Sequence, residues 1–62
     1  MNDTDFIDRR ILQLCAGLEG PTLEMLLIPF ADSEKPLVKG RIAALVTEGK
    51  LAQVGYRYRR VG

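Results

Sequence analysis

Val38-Lys39-Gly40-Arg41-Ile42-Ala43-Ala44-Leu45-Val46-Thr47-Glu48-Gly49-Lys50-Leu51 is the stretch that decides the fold, because the hydrophobic period changes within it. Val38, Ile42, Leu45 and Val46 recur at the spacing of one helix face. Gly49 stands where a helix stop belongs, since glycine accepts the left-handed backbone that ends a helix. From Lys50 onward, Leu51, Val54, Tyr56, Tyr58 and Val61 are interleaved with polar residues, which is the mark of short strands. The stretch thus predicts a helix over 36–48, opened by Pro36, whose missing N–H costs nothing in a first turn. Two antiparallel strands follow, over about 50–54 and 56–61. Gly55 supplies the positive φ that a tight turn needs, placing the turn at Val54-Gly55.

Two further helices are predicted upstream. Ile7, Ile11, Leu14, Cys15 and Leu18 form one face of a helix over 4–18, capped by Asn2 or Thr4. Asp3, Asp5 and Asp8 lie where the helix dipole favours negative charge. Gly17 and Gly20-Pro21 then interrupt the pattern. A short helix over 22–28 starts at Thr22 as N-cap and presents Leu23, Leu26, Leu27 and Phe30. Pro29 removes a donor and disfavours helical geometry at Ile28. Asp32 and Ser33 read as turn or capping residues.

The 62 residues make one domain, 1–62, with a thin core: a chain of this size buries only about 60% of its unfolded surface. Histidine and tryptophan are absent and there is one cysteine. A Ser-His or Cys-His nucleophile pair, a His-containing zinc site and an internal disulfide are thereby excluded. The glycines are scattered and form no phosphate-cradling motif, and the carboxylates Asp3, Asp5 and Asp8 have no catalytic partner. No enzyme activity, metal, cofactor or small-molecule ligand is expected. Cys15 reads as a core thiol; a lone free thiol and no signal peptide suggest a cytoplasmic setting. The apolar run Met25–Ala31 is too short to cross a bilayer, so no membrane partner is expected.

The order helix, short helix, longer helix, hairpin, together with the stretch 38–51 and Gly55-Tyr56-Arg57-Tyr58-Arg59, resembles the winged helix-turn-helix family of small, stand-alone bacterial or phage type. The resemblance covers about residues 5–61. It implies an α+β fold, a three-helix cluster followed by a two-stranded β-hairpin wing. It also implies a DNA-binding transcriptional regulator whose third helix and wing touch the duplex.

Charge is divided to match. Residues 1–34 carry seven acids against two bases, net −5; residues 35–62 carry seven bases against one acid, net +6. A basic cluster on one part of a domain is an electrostatic footprint for phosphates. With the resemblance placing the third helix and wing on the duplex, the expected DNA-contacting set is Lys35, Lys39, Arg41, Thr47, Lys50, Arg57, Arg59 and Arg60. In a strand, Arg57 and Arg59 share one face and Tyr56 and Tyr58 the other, so the tyrosines are expected to pack on the core rather than stack on bases.

The outward side of the third helix carries Pro36, Gly40, Ala43 and Thr47, which offer few groups for base readout. That smoothness supports an alternative: a protein-interaction adaptor on the same fold, with the basic wing meeting an acidic partner. A homodimer on DNA half-sites is a further variant.

Overall fold

The computed structural model describes residues 3–17 and 20–61. Its elements are α1 (Asp3–Leu14), α2 (Leu23–Leu27), α3 (Lys35–Thr47), β1 (Leu51–Val54) and β2 (Arg57–Arg60). The fold is α+β, with three helices followed by an antiparallel hairpin, a layout compatible with a winged helix. Ile7, Ile11 and Cys15 from the first segment meet Leu26, Phe30, Val38, Ile42, Leu45 and Leu51 in one buried cluster. Fully burying an aliphatic side chain contributes about 1.5–3 kcal/mol, so the periodic residues read from the sequence are those that hold the helices together.

Local chemistry sets the element ends. Thr22 is extended and its hydroxyl oxygen accepts from the Met25 N–H at 3.3 Å, which caps α2. Ile28 keeps right-handed helical dihedrals despite the following proline, because the Phe30 N–H continues the turn onto the Leu27 carbonyl. The start of α3 has Glu34 as N-cap without a side-chain cap bond, so neither Asp32 nor Ser33 occupies that position. At its end Gly49 takes φ +81°, Lys50 N–H donates to Leu45 O and Gly49 N–H to Val46 O. This paired arrangement satisfies carbonyls that a helix end leaves open and turns the chain into β1.

The second and third helices, expected over 22–28 and 36–48, lie within a residue of those bounds at Leu23–Leu27 and Lys35–Thr47, and the larger differences are elsewhere. The first helix ends at Leu14 rather than 18, because the Cys15 carbonyl is taken by the Arg60 N–H of β2. Leu18, Glu19 and Asn2 lie outside the described residues, and Thr4 stands inside α1. The strands run 51–54 and 57–60, inside the expected 50–54 and 56–61. The turn is Gly55-Tyr56, one residue later than expected: Val54 pairs with Arg57, Gly55 has φ +62° and Tyr56 a negative φ. Glycine first with positive φ is the pattern of a type II′ hairpin turn.

Candidate nucleic-acid interface

The hairpin is fastened to the α1–α2 connection through its second strand. Tyr58 N–H donates to the Pro21 carbonyl at 2.9 Å, and Thr22 forms an antiparallel bridge with Arg57. Arg57 Nη1 donates to the Gly20 carbonyl at 3.0 Å. Gly20 makes this approach possible: a Cβ there would lie 1.5 Å from the Tyr58 carbonyl oxygen. Val61 N–H closes the open end onto Lys50 O. β2 is thus held on one side by β1 and on the other by Cys15, Gly20, Pro21 and Thr22.

Register assigns the side chains. Ala52, Val54, Arg57 and Arg59 share one face, and Leu51, Gln53, Tyr58 and Arg60 the other. Leu51 is buried and Tyr58 packs against the core, so the second face is the one turned toward the helices. The two tyrosines do not share a fate. Tyr58 is half-buried as expected, whereas Tyr56 is 89% exposed. The turn shift is the cause, since Tyr56 is a turn residue at the tip and not the first residue of β2.

The eight residues singled out from the sequence fall into three groups. Four are engaged within the domain. Arg41 Nε and Nη2 donate to Asp8 Oδ1 and Oδ2 at 2.8 and 2.7 Å, tying α3 to α1, and Glu48 lies 3.7 Å away. The hydrogen bond to Asp8 holds the guanidinium above its ordinary pKa, with charge from Asp8, Glu48 and Asp5 adding to it. Lys35 Nζ donates to Asp32 Oδ1 at 2.8 Å. That bond, then the lysine charge, holds the Asp32 carboxyl below its ordinary value. Thr47 Oγ1 donates back to the Ala43 carbonyl within its own helix. Arg57 is fixed by the Gly20 carbonyl through one nitrogen, which leaves most of its five donors free.

Lys50 is intermediate, its Nζ 3.6 Å from Glu48 Oε1. Lys39, Arg59 and Arg60 are exposed and form no ion pair among the described residues. Arg60 leaves the helix-facing side of the hairpin and Arg59 the outer side, while Lys39 projects from α3.

Beside Lys39 lies an open apolar hollow of about 260 Å³, walled by Ala43 and Val46 of α3, Leu23, Gln53 and Tyr58. A second, of about 450 Å³, is formed by Thr22, Leu23, Glu24 and Tyr56. Pro36, Gly40, Ala43 and Thr47 are all exposed, so the outward face of α3 is small and poor in donors, as the sequence suggests.

The Asp8–Arg41 tie is the feature that sequence reasoning missed. Its signal was present in phase: Asp8 adjoins buried Ile7 and Arg41 adjoins buried Ile42, so opposite charges flank two apolar stripes that must pack together. Cys15 is buried, and burial pushes its thiol pKa up. Among the described residues, no group of three or more His, Cys, Asp or Glu is placed to hold a metal ion. No helix among them is long and apolar enough to cross a membrane. No family model matches the chain, and neither a curated protein nor a solved structure matches it.

Proposed function

We propose that this chain is a winged helix that binds duplex DNA through its phosphates, as a small transcriptional regulator with little direct base readout. One observation carries the reading: the hairpin bears exposed cations on both faces, Arg59 outward and Arg60 inward, with Arg57 keeping donors beyond the one held by Gly20 and Lys39 exposed on α3. A blade with cations on both sides suits a groove bounded by a phosphate strand on each wall. Arginine adds a fixed donor fork that matches phosphate oxygens. The donor-poor outer face of α3 supports contact without a sequence code.

The test is fluorescence anisotropy with a random-sequence duplex at about 50 and 200 mM salt. Each neutralised phosphate contributes a slope of about −0.9 in log affinity against log salt, so three free cations give about −3. Lys39→Ala with Arg59→Ala and Arg60→Ala removes most of that slope, and scrambling the duplex sequence changes affinity little. Binding by the triple variant that matches wild type, or none by wild type at low salt, refutes the proposal.

The apolar hollow beside Lys39 favours a second reading, an adaptor for an acidic protein partner. Ala43→Glu would place a carboxylate in that hollow. Under this reading it blocks the partner, whereas capture that survives it removes the hollow as the contact.

A further inference from the structure

The displaced Tyr56 stands beside a slot with the chemical division of a nucleotide. It is 89% exposed, so it adds almost nothing to the core, and it stands at the tip of a hairpin whose second strand is bonded to Cys15, Pro21 and Thr22. The hollow of about 450 Å³ beside it has an aromatic wall in Tyr56, an apolar wall in Leu23, and two polar residues, Thr22 and Glu24. Thr22 uses its oxygen to cap α2, which leaves its hydroxyl proton to donate. Glu24 is exposed in the first turn of α2, and its carboxylate only accepts.

We propose that this slot takes one unpaired nucleobase carrying an exocyclic amine, stacked on Tyr56, with the flanking phosphates on the hairpin arginines. The inference rests on the nucleic-acid reading above and extends it from duplex to single-stranded substrate. A base has two apolar π-faces and a polar edge. Tyr56 and Leu23 match the faces, and Glu24 accepts from the amine of cytosine or adenine. Charge sets the direction. Glu24 repels phosphate from the slot, while Arg57, next in sequence to Tyr56, and Arg59 two residues further on attract it. A base inside a duplex is stacked on both faces by its neighbours and cannot use the slot, so the substrate is an unpaired base.

The experiment measures anisotropy of labelled single strands of about 12 nucleotides, within the range one small domain covers. The probes are oligo-dC and oligo-dT, with a mixed-sequence duplex as comparison. Stacking on an aromatic side chain is worth about 1–3 kcal/mol per base, so Tyr56→Ala should weaken oligo-dC binding by about 5- to 150-fold. Duplex binding should stay within about twofold. Tyr56→Phe keeps the ring and should bind as wild type. Glu24→Gln should narrow the preference for oligo-dC over oligo-dT. Thermal unfolding of Tyr56→Ala should match wild type, since the side chain is outside the core.

Unchanged oligo-dC affinity in Tyr56→Ala overturns the slot, as does equal loss in Tyr56→Ala and Tyr56→Phe, which would assign the effect to the hydroxyl. Wild-type protein that binds duplex and not single strands overturns the slot and leaves the duplex reading standing. Binding to neither overturns both.

Discussion

Gly20→Ala should detach the hairpin, and its cost can be worked from the contacts around one missing methyl group. The added Cβ would lie 1.5 Å from the Tyr58 carbonyl oxygen, 2.4 Å from its carbonyl carbon and 3.1 Å from the Arg59 nitrogen. All three are backbone atoms, so no side-chain rotation relieves the clash. Real Cβ contacts stay beyond 3.0 Å, so β2 must retreat by about 1.5 Å. That displacement breaks the Tyr58–Pro21 bond, the Arg57–Gly20 bond and the Thr22–Arg57 bridge. At about 1 kcal/mol each, with some loss of Tyr58 packing, the cost is roughly 2–4 kcal/mol. A chain of this length has only about 3–9 kcal/mol of net stability. The melting temperature should fall by roughly 10–30 °C.

Urea unfolding followed by far-UV circular dichroism measures the cost. Hydrogen exchange at the Tyr58 and Arg60 amides reports whether the hairpin opens before the helices do. Gly40→Ala is the internal control. It lies in α3 with nothing within 4 Å of its would-be Cβ, so the same substitution should stabilise by about 0.5–1 kcal/mol. Gly20→Ala within about 0.5 kcal/mol of wild type would refute the docking described here.

Arg41→Ala should lower the melting temperature, and Arg41→Ala with Asp8→Asn should lower it by less than the sum of the single variants, since the two groups bond directly. The folded Arg41→Ala protein should bind DNA as wild type does; an unchanged melting temperature with a shallower salt slope would make Arg41 a phosphate contact instead. The buried Cys15 thiol gives a pH signature of known sign. Its pKa is raised by burial in the folded state, so the unfolded chain loses the proton first. Its contribution is therefore complete below the ordinary thiol value of about 8.5 and is lost as pH rises through the folded value. Cys15→Ala should flatten the stability curve above the ordinary thiol value, and an unflattened curve contradicts the assignment.

The core was legible in the sequence because burial follows period. Ile7, Ile11, Leu26, Val38, Ile42 and Leu45 were all assigned to inward faces and are all buried. The stop at Gly49 was equally legible, because a left-handed glycine after a helix is a local requirement. What could not be read was set by distant partners. Gly55 serves as either central residue of a tight turn, and the choice between them moves Tyr56 from the strand to the tip. Docking of Tyr58 against Gly20 and Pro21, nearly forty positions upstream, fixes which pairing the rest of the domain accepts. The end of α1 has the same origin, since its apolar period runs on to Leu18 while Cys15 turns its carbonyl to Arg60.

Charge shows most clearly where counting residues and locating them part company. A count of seven bases in residues 35–62, each taken as a phosphate contact, gives a salt slope of about −6. A domain with so thin a core uses some of those bases as fasteners. Arg41 joins α3 to α1, Arg57 joins β2 to the α1–α2 connection, and Lys35 closes the turn before α3. Each is fixed by its own acid or carbonyl, and releasing it onto DNA would leave Asp8, Asp32 or the Gly20 carbonyl without that partner. With Lys50 also held near Glu48, the slope that follows from the remaining Lys39, Arg59 and Arg60 is about −3. The two values differ by about a hundredfold in the affinity change over a fivefold range of salt, which a single titration resolves. A slope near −6 would mean that the internal pairs open when DNA arrives, and the helix contact between Asp8 and Arg41 would then loosen on binding.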